Sequence, residues 1–484
     1  NSGIRLTGLV TTFVLAGILG PFDFGLASMA MVYIAILQVF LDAGVPAAVI
    51  QREQLDDRHL DSAFWMMLAW CALLAGFAFG TAGLWAQVNG EPDLKPVIQV
   101  LSVWLVIMGL TVVQQAILRR EMRFKPLAVR ANVGALAGAG VGIGLAVAGY
   151  GVWALVAEQI ATALVGLVLL WAISDWRPGF RFSRRHARDL LGFSVQGLAG
   201  DLGGYIGRRA DYLLIGVFLG PTVVGLYRLA DRLVDGVLSV TTTPVGTVSL
   251  SHFSRLQSDA RGLRRAVLGS VRATSLMNVP ALLLLAGCAT AVTGLLGSTW
   301  LPAADALKIL AVVGIAKALT ILVSPLLYAL AKLRLRLLVI WSLTAVSVGA
   351  FAITGLALRD QPLDEQVIWT AASRGILFAL VFVPVSLVVL SRFGGVRLGE
   401  LGQTFVGPGI AGVAGGLVAF ALSDSGVLDH LPAIVTLLVA ATVGGGVTLG
   451  LLVALDETVR TRATRIVQRL RRRARVEPTV GGAA

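Results

Sequence analysis

Long apolar segments without charged side chains recur from one end of this chain to the other, and they constrain its fold more than any other feature. A helix of about 20 such residues spans the hydrocarbon core of a bilayer. Charged residues make up only 14% of the chain, whereas a soluble domain has roughly 25%. The sequence therefore predicts an all-α polytopic membrane protein with about 14 transmembrane helices. Their approximate cores are residues 4–19, 24–50, 63–86, 97–118, 127–148, 152–173, 191–217, 222–249, 267–296, 303–330, 337–357, 367–390, 404–422 and 431–454.

Basic residues are distributed unevenly over the connections between these segments. One set of alternate connections, together with the C-terminal tail, carries 28 Lys and Arg residues, and the other set carries only Lys95 and Arg359. The excess lies on the cytoplasmic side of membrane proteins. We therefore expect a multi-pass protein of the bacterial cytoplasmic (inner) membrane with both termini in the cytoplasm. The same bias accounts for most of the net charge of +13 without nucleic acid as a partner.

The basic C-terminal tail has a helical pattern of its own. Arginines alternate there with apolar residues at helical spacing, namely Val459, Ala463, Ile466, Val467 and Leu470. The pattern is typical of a basic amphipathic helix that lies on an anionic membrane surface. Two interpretations stay open, a topology anchor and a docking site for a partner.

A short motif occurs twice, as LGPFDFGL at residues 19–26 and as LGPTVVGL at residues 219–226. Each copy falls between the first two helices of a six-helix block. A second match follows in the same order, at residues 118–123 and 330–334. Because six is an even number, both blocks have the same orientation in the membrane. The sequence thus predicts two six-helix lobes in a parallel repeat, with a transport site between them near the midplane.

The repeat divides the chain into five predicted parts. These are an N-terminal six-helix lobe at 1–175, a basic cytoplasmic linker at 176–190, a C-terminal six-helix lobe at 191–390, two extra C-terminal transmembrane helices at 391–455 and the basic amphipathic tail at 456–484. Small residues spaced four apart favour close helix packing over a hinge. They are Gly134, Gly138 and Gly142 in one helix, and Gly412 and Gly416 in another.

Ionisable residues inside the predicted helices cluster in the second lobe. A charge at bilayer depth is costly, so it usually faces a cavity or a partner. Helices seven and eight carry Asp201, Arg208, Arg209, Asp211, Arg228, Asp231, Arg232 and Asp235. Most of these residues share one face of their helix, and the short turn between the helices brings the two faces together. They form either a salt-bridge ladder or a basic wall for a pyrophosphate, which arginine binds bidentately.

Four further ionisable residues complete the candidate site. Lys317 and Arg374 are lone cations in apolar helices and are expected to face the same cavity. Glu158 is a candidate cation or proton site, with a hydrogen bond to a neighbouring helix as the alternative. Asp42, near the inner end of the second helix, is expected to brace an inner gate.

An ordered series of short motifs runs through residues 15–330. It consists of LGP at 19–21 with DFGL at 23–26, Asp42 with Gly44, QR at 51–52, FW at 64–65, LRR at 118–120 with MRF at 122–124, GVWAL at 151–155, WRP at 176–178, Arg208 with Asp211, LIG at 214–216, LG at 219–220, Gly225-Leu226-Tyr227, RL at 232–233 and FSRLQ at 253–257. This series resembles the polysaccharide-transport branch of the MOP flippase superfamily, the Wzx-type oligosaccharide flippases, and among them the colanic acid exporters.

The resemblance implies a function, a substrate and partners. Such a protein moves an undecaprenyl-pyrophosphate-linked oligosaccharide, a repeat unit of exopolysaccharide, O-antigen or capsule, across the cytoplasmic membrane by alternating access. Na⁺ or H⁺ is the expected coupling ion, and no cofactor is expected. Membrane lipids and the polysaccharide polymerase machinery are the expected partners. Arg208 and Arg232 match family motifs, so they lead the candidate substrate-binding residues, before Arg209, Arg228, Lys317 and Arg374.

Two other functions are weighed against this one. A multidrug or organic cation antiporter of the same superfamily needs an acidic cavity, whereas most cations at membrane depth lie in the second lobe. A membrane-embedded enzyme needs catalytic carboxylates and large outward loops, and the outward loops here are short. The chain also lacks the GxxxxGK[ST] motif of ATPases. His59, His186, His252 and His430 lie in loops or at helix ends, and their spacing indicates no metal site.

Overall fold

The computed structural model describes residues 2–41, 45–52, 55–191, 195–424, 432–456 and 459–461. All regular structure within these ranges is helical. The α-helices are α1 (Ser2–Ile18), α2 (Pro21–Val39), α3 (Val45–Gln51), α4 (Asp57–Val88), α5 (Leu94–Gly109), α6 (Val112–Arg120), α7 (Phe124–Val147), α8 (Val152–Ile173), α9 (Arg184–Leu191), α10 (Val195–Thr241), α11 (Thr243–Arg255), α12 (Ala260–Gly287), α13 (Ala289–Gly294), α14 (Ala303–Thr320), α15 (Val323–Ala329), α16 (Leu333–Leu358), α17 (Leu363–Leu377), α18 (Val383–Gly394), α19 (Leu398–Asp424) and α20 (Ala433–Leu455). A 3₁₀ turn covers Ser298–Trp300, and a π-helical turn joins α17 to α18 at Phe378–Phe382.

Twelve helical segments of the described chain are long and apolar enough to cross a membrane. One of them, Arg209–Thr241, runs through Gly220, where a φ of 81° and a ψ of 180° interrupt the helix before Pro221. Glycine tolerates that φ, and proline is well placed to start the next helix. The sequence counts this segment as two helices, and it also counts α1, which has 17 residues. The all-α multi-pass architecture is confirmed, whereas the number of 14 stays a prediction.

The internal repeat is visible in the backbone. Met122 and Ala331 are the two non-glycine residues of the described chain with positive φ, at 58° and 55°. Met122 lies in the turn between α6 and α7, and Ala331 lies in the turn between α15 and α16. A left-handed conformation costs roughly 1–2 kcal/mol outside glycine, so its recurrence at matched turns supports the duplication. The predicted second match therefore has the right position, but its register is three residues off.

The helices form two compact units. Unit 1 comprises Asn1–Gly236, Leu296–Ala306 and Lys332–Val381, and unit 2 comprises Val237–Leu295, Leu307–Ala331 and Phe382–Ala484. In unit 1, α7 packs along α8 and α4 along α5, while in unit 2, α19 packs against both α12 and α20. The core of unit 2 surrounds fully buried apolar side chains that include Phe253, Val267, Leu322 and Leu390. The predicted lobes at 1–175 and 191–390 were defined by counting helices and not by contacts, so their boundaries stay a prediction.

Small residues let helices approach closely inside each unit. A Cβ atom on Gly138 of α7 would lie 2.7 Å from the carbonyl oxygen of Glu158 in α8. In unit 2, a Cβ atom on Gly412 of α19 would lie 3.0 Å from the Cα atom of Pro280 in α12. Similar approaches are made by Gly134, Gly142 and Gly416. The predicted use of these glycines in close packing is confirmed.

The two copies of the repeated motif contact each other within unit 1. A Cβ atom on Gly25 would lie 3.0 Å from the backbone nitrogen of Gly225 and would overlap the carbonyl group of Pro221. A Cβ atom on Gly225 would lie 3.1 Å from the backbone nitrogen of Gly25 and would overlap the carbonyl group of Pro21. Each copy therefore needs its glycine because of the other copy. The contact is reciprocal, as expected for two halves related by a two-fold axis.

Replacing Gly225 by alanine is expected to destabilise the protein by about 1–3 kcal/mol, because the added methyl group would meet rigid backbone atoms. Gly20→Ala is the matched control in the other copy of the motif, since Gly20 has a φ of −73° and open space in front of its missing Cβ atom. The measurement is thermal unfolding of the purified proteins in the same detergent. Equal unfolding temperatures for the two variants would contradict the close contact.

Candidate functional site

A network of charged and phenolic side chains lies buried between α10 and α17 in unit 1. Arg374 donates from Nη1 to the Oδ2 atom of Asp211 and, over 2.7 Å, to the hydroxyl oxygen of Tyr227. The same Nη1 atom lies 3.4 Å from the Oδ1 atom of Asp231. Tyr227 in turn donates to Asp211 over 3.0 Å, and the Tyr212 hydroxyl donates to Asp231. All five residues are at most 8% exposed.

Local helix geometry positions this network. Asp211 and Tyr212 are neighbours on the first arm of α10, before the interruption at Gly220. Tyr227 and Asp231 are four residues apart on the second arm, so they lie one turn apart on the same face. Asp211 and Asp231 both pair with Arg374 of α17, a cation outside the hairpin. The ladder that the sequence predicts, among the charged residues of the hairpin itself, stays a prediction.

Arg209 and Arg228 lie on the ring of Tyr212. The Cζ atom of each arginine is 5.2 Å from the centroid of that ring, a distance at which cations are attracted to aromatic faces. The Nη1 atom of Arg228 is buried and has no hydrogen-bond partner within the described chain. A buried donor without a partner costs roughly 1–3 kcal/mol. This nitrogen atom is therefore an unsatisfied donor of the second arm of α10.

The two arginines line a cavity of about 150 Å³ in unit 1. Its wall is built by α2, α5 and α8 from the first half of the repeat and by both arms of α10 from the second half. The lining residues are Met31, Val32, Ile34, Ala35, Gln38, Leu101, Trp104, Gln159, Tyr205, Arg209 and Arg228. They include two cations and no acid, so the cavity is suited to an anion.

Arg232 is placed one turn beyond Arg228. Its Nη2 atom donates to the carbonyl oxygen of Gly8 in α1 over 3.3 Å. Its charge also interacts with that of Glu158 in α8. A cation of the second half of the repeat is thus coupled electrostatically to an acid of the first half. The predicted roles of Arg232 in substrate binding and of Glu158 in ion coupling stay predictions.

The other predicted site residues are placed as follows. Asp235 is half-buried on the second arm of α10, and Lys317 is half-buried in α14 of unit 2. The side chains of Asp201 and Arg208 lie outside the described residues, as does the whole of Asp42. Arg374 was expected to face the cavity, but it lies in the buried network and is not among the residues that line the cavity.

Several cavity residues were missed by sequence reasoning because they carry no charge. Gln38, Gln159 and Tyr205 contribute the polar groups that accompany the two arginines. One signal was available, since residues 205, 209 and 212 are spaced four and three apart and therefore share one helix face. The uncharged polar residues on the same helix face as Arg209 are Tyr205 and Tyr212.

Comparison with known proteins adds independent observations. The family model described as "Polysaccharide biosynthesis protein" matches residues 14–305. The succinoglycan biosynthesis transport protein ExoT of Rhizobium meliloti (strain 1021) is 28% identical over 454 residues, which cover 93% of this chain and 89% of that protein. The teichuronic acid biosynthesis protein TuaB of Bacillus subtilis (strain 168) is 26% identical over 399 residues, which cover 80% of this chain and 79% of that protein.

A solved structure of the lipid II flippase MurJ, in an inward closed conformation, is similar to this chain with a TM-score of 0.71. The match covers 93% of this chain and 96% of that chain at 14% sequence identity. At this identity the similarity shows the fold alone, and it agrees with the all-α multi-pass architecture that hydropathy predicts.

Replacing Arg374 by leucine is expected to destabilise the protein by about 3–5 kcal/mol, because two buried carboxylates lose their counter-charge. Adding Asp211→Asn should recover part of this loss by removing one of those charges. Thermal unfolding in detergent measures both effects.

Arg272→Leu is the matched control for this change. Arg272 pairs with Asp456 over 3.0 Å, but 49% of its side chain is exposed, so its loss is expected to cost less than about 1 kcal/mol. An Arg374→Leu effect no larger than that of the control would contradict the buried network.

Proposed function

This chain belongs to the family of polysaccharide biosynthesis proteins, and on that premise we propose that it translocates an undecaprenyl-pyrophosphate-linked oligosaccharide across the cytoplasmic membrane by alternating access. The observation that carries the proposal is the pair Arg209 and Arg228 at membrane depth, facing a cavity between helices of the two repeats. The names of ExoT and TuaB, which refer to the biosynthesis of succinoglycan and teichuronic acid, support a glycan cargo.

The chemistry of the two arginines favours a phosphate-bearing ligand. A guanidinium group donates two parallel hydrogen bonds to phosphate oxygens and stays charged when it is desolvated. The ring of Tyr212 holds both groups in place, so little side-chain entropy is lost when an anion binds. Gln38, Gln159 and Tyr205 supply further hydrogen-bonding groups for the first sugar or for phosphate oxygens.

The size of the cavity indicates which part of the cargo it receives. Pockets for drug-sized ligands have roughly 300–1,000 Å³, whereas this cavity has about 150 Å³. A diphosphate group is compatible with the smaller volume, and an oligosaccharide is not. The arginines therefore receive the pyrophosphate in this conformation, and the helices must separate before the glycan passes.

Ion coupling is assigned to the pair Glu158 and Arg232. A cation that binds to Glu158, either H⁺ or Na⁺, would compete with Arg232 for that carboxylate and change the attraction between α8 and α10. The proposed orientation places both termini in the cytoplasm, and the polysaccharide polymerase machinery is the proposed protein partner. The distribution of basic residues supports this orientation.

Replacing Arg209 and Arg228 by glutamine is expected to slow transport by at least about tenfold for each residue, because a hydrogen bond to a charged group contributes about 1.5–3 kcal/mol. The assay uses proteoliposomes with a fluorescent polyprenyl-diphosphate oligosaccharide and a membrane-impermeant quencher. Transport at the normal rate in the double variant would disprove the assignment of the pyrophosphate.

Two controls separate transport from stability and from the competing function. Arg228→Gln is expected to keep the unfolding temperature or raise it, since it removes a buried cation whose Nη1 atom lacks a partner in the described chain. Arg265→Gln, on the exposed surface of α12, should transport normally. Efflux of organic cations without flipping of the lipid would favour a multidrug antiporter instead.

A further inference from the structure

A second cluster of polar side chains joins the start of α4 to the linker helix α9 in unit 1. Asp56 caps α4 and accepts hydrogen bonds from the backbone nitrogen of His59 at 2.9 Å and from its Nδ1 atom at 2.5 Å. The Nε2 atom of His186, in α9, lies 3.9 Å from the Oδ2 atom of Asp56. The two imidazole rings meet edge to face, with their centroids 4.2 Å apart.

The linker is held against α4 by direct contacts on the N-terminal side of His186. The backbone nitrogen of Gly179 donates to the buried carboxylate of Asp61 over 2.8 Å, and the indole nitrogen of Trp65 donates to the carbonyl oxygen of Gly179 over 2.8 Å. The backbone nitrogen of Ser183 donates to the hydroxyl oxygen of Ser62 over 3.0 Å. These contacts fix the position of the turn before α9, so the approach of His186 to His59 is a built feature of the fold.

The His59 ring has an unused coordination position. It is only 8% exposed, and its Nε2 atom is buried without a hydrogen-bond partner in the described ranges. Since an imidazole carries two nitrogen atoms that can bond, one of them is still open to a ligand. The ring of His186 is oriented by a 2.7 Å hydrogen bond between its Nδ1 atom and the hydroxyl group of Ser183, which leaves Nε2 toward Asp56.

We propose that Asp56, His59 and His186 form a binding site for a divalent metal ion of the zinc type, which ties the linker helix to the start of α4. One ligand atom of each residue lies within 4.8 Å of the other two. A tetrahedral zinc site with bonds of 2.0–2.2 Å needs ligand atoms about 3.3 Å apart. In the proposed site the side chains rotate to close that difference, and water supplies the fourth ligand. Two imidazoles and one carboxylate form a donor set that favours zinc over calcium or magnesium.

The surroundings set the expected affinity. The site offers one carboxylate, Asp56, and two imidazoles, His59 and His186. Nearby Arg184 and Arg185 are exposed, so solvent screens their charge but does not remove it. We expect micromolar affinity for zinc for this reason, not the nanomolar affinity of a closed structural site.

The sequence predicted no metal site because the two histidines are far apart along the chain. His59 lies at the start of a membrane helix, and His186 lies in the linker before α10. The contacts of Gly179 and Ser183 with α4 bring them together. Nothing in the spacing of the histidines signals this pairing, which depends on the fold.

Zinc binding by the purified full-length protein tests the proposal. The protein carries a purification tag without histidine, is treated with a chelator, and is dialysed against radioactive zinc near neutral pH, where histidine can ligate. We expect one zinc ion per chain, with at least tenfold weaker binding for His186→Asn. Ser183→Ala, which removes the group that orients His186, should weaken binding by about 10-fold. No saturable binding, or equal affinity for wild type and His186→Asn, would overturn the proposal.

Two further measurements guard against misfolding and against binding elsewhere. His252→Asn removes an exposed histidine of α11 outside the cluster and should bind zinc like the wild type. Trypsin cleavage after Arg184 and Arg185 should become severalfold slower with zinc in the wild type and stay unchanged in His186→Asn, because the metal ion fastens α9. Equal protection of both proteins by zinc would also overturn the site.

Discussion

A charge inside the hydrocarbon layer must be compensated, and this requirement organises the described part of the site. Arg374 meets it by lying against Asp211 and Asp231, with Tyr227 as a further acceptor and donor. Removing water from such a group is costly unless the partners are close. Arg209 and Arg228 of the hairpin instead lie on the ring of Tyr212, at the wall of the cavity. The cation at the centre of the buried network is thus a different residue from the two arginines that line the cavity.

Tyr212 connects these two groups of residues. Its hydroxyl group donates to Asp231 in the buried network, while Arg209 and Arg228 lie on its ring at the cavity wall. A shift of either arginine would therefore move the ring of Tyr212 and change the geometry of its hydrogen bond to Asp231. If an anion binds in the cavity as proposed, Tyr212 would couple that binding to the pairing that holds α10 against α17. Alternating access requires such a coupling between a substrate site and the contacts between helices.

The sequence predicted features that depend on local pattern, and it missed those that depend on distant contacts. The helices follow from hydropathy and the hairpin turn at Gly220 follows from its turn residues, so both could be predicted from the sequence. The repeat was found from a motif, although its second match was out of register until the turns at Met122 and Ala331 were seen. Arg374 lies 163 residues from Asp211 along the chain, and no periodicity predicts that pairing. The contact between His59 and His186 could not be predicted for the same reason, because the two residues are far apart along the chain.

The crossing of Gly25 with Gly225 has a consequence for how such a chain evolves. Each glycine is required by the backbone of the opposite copy, which is the arrangement that a symmetric homodimer makes with a single surface position. In a homodimer one codon would serve both sides of the interface. In the fused chain two separate codons must both keep glycine, because a mutation in either copy disturbs the backbone of the other. The two repeats can therefore diverge elsewhere in sequence, but not at this position.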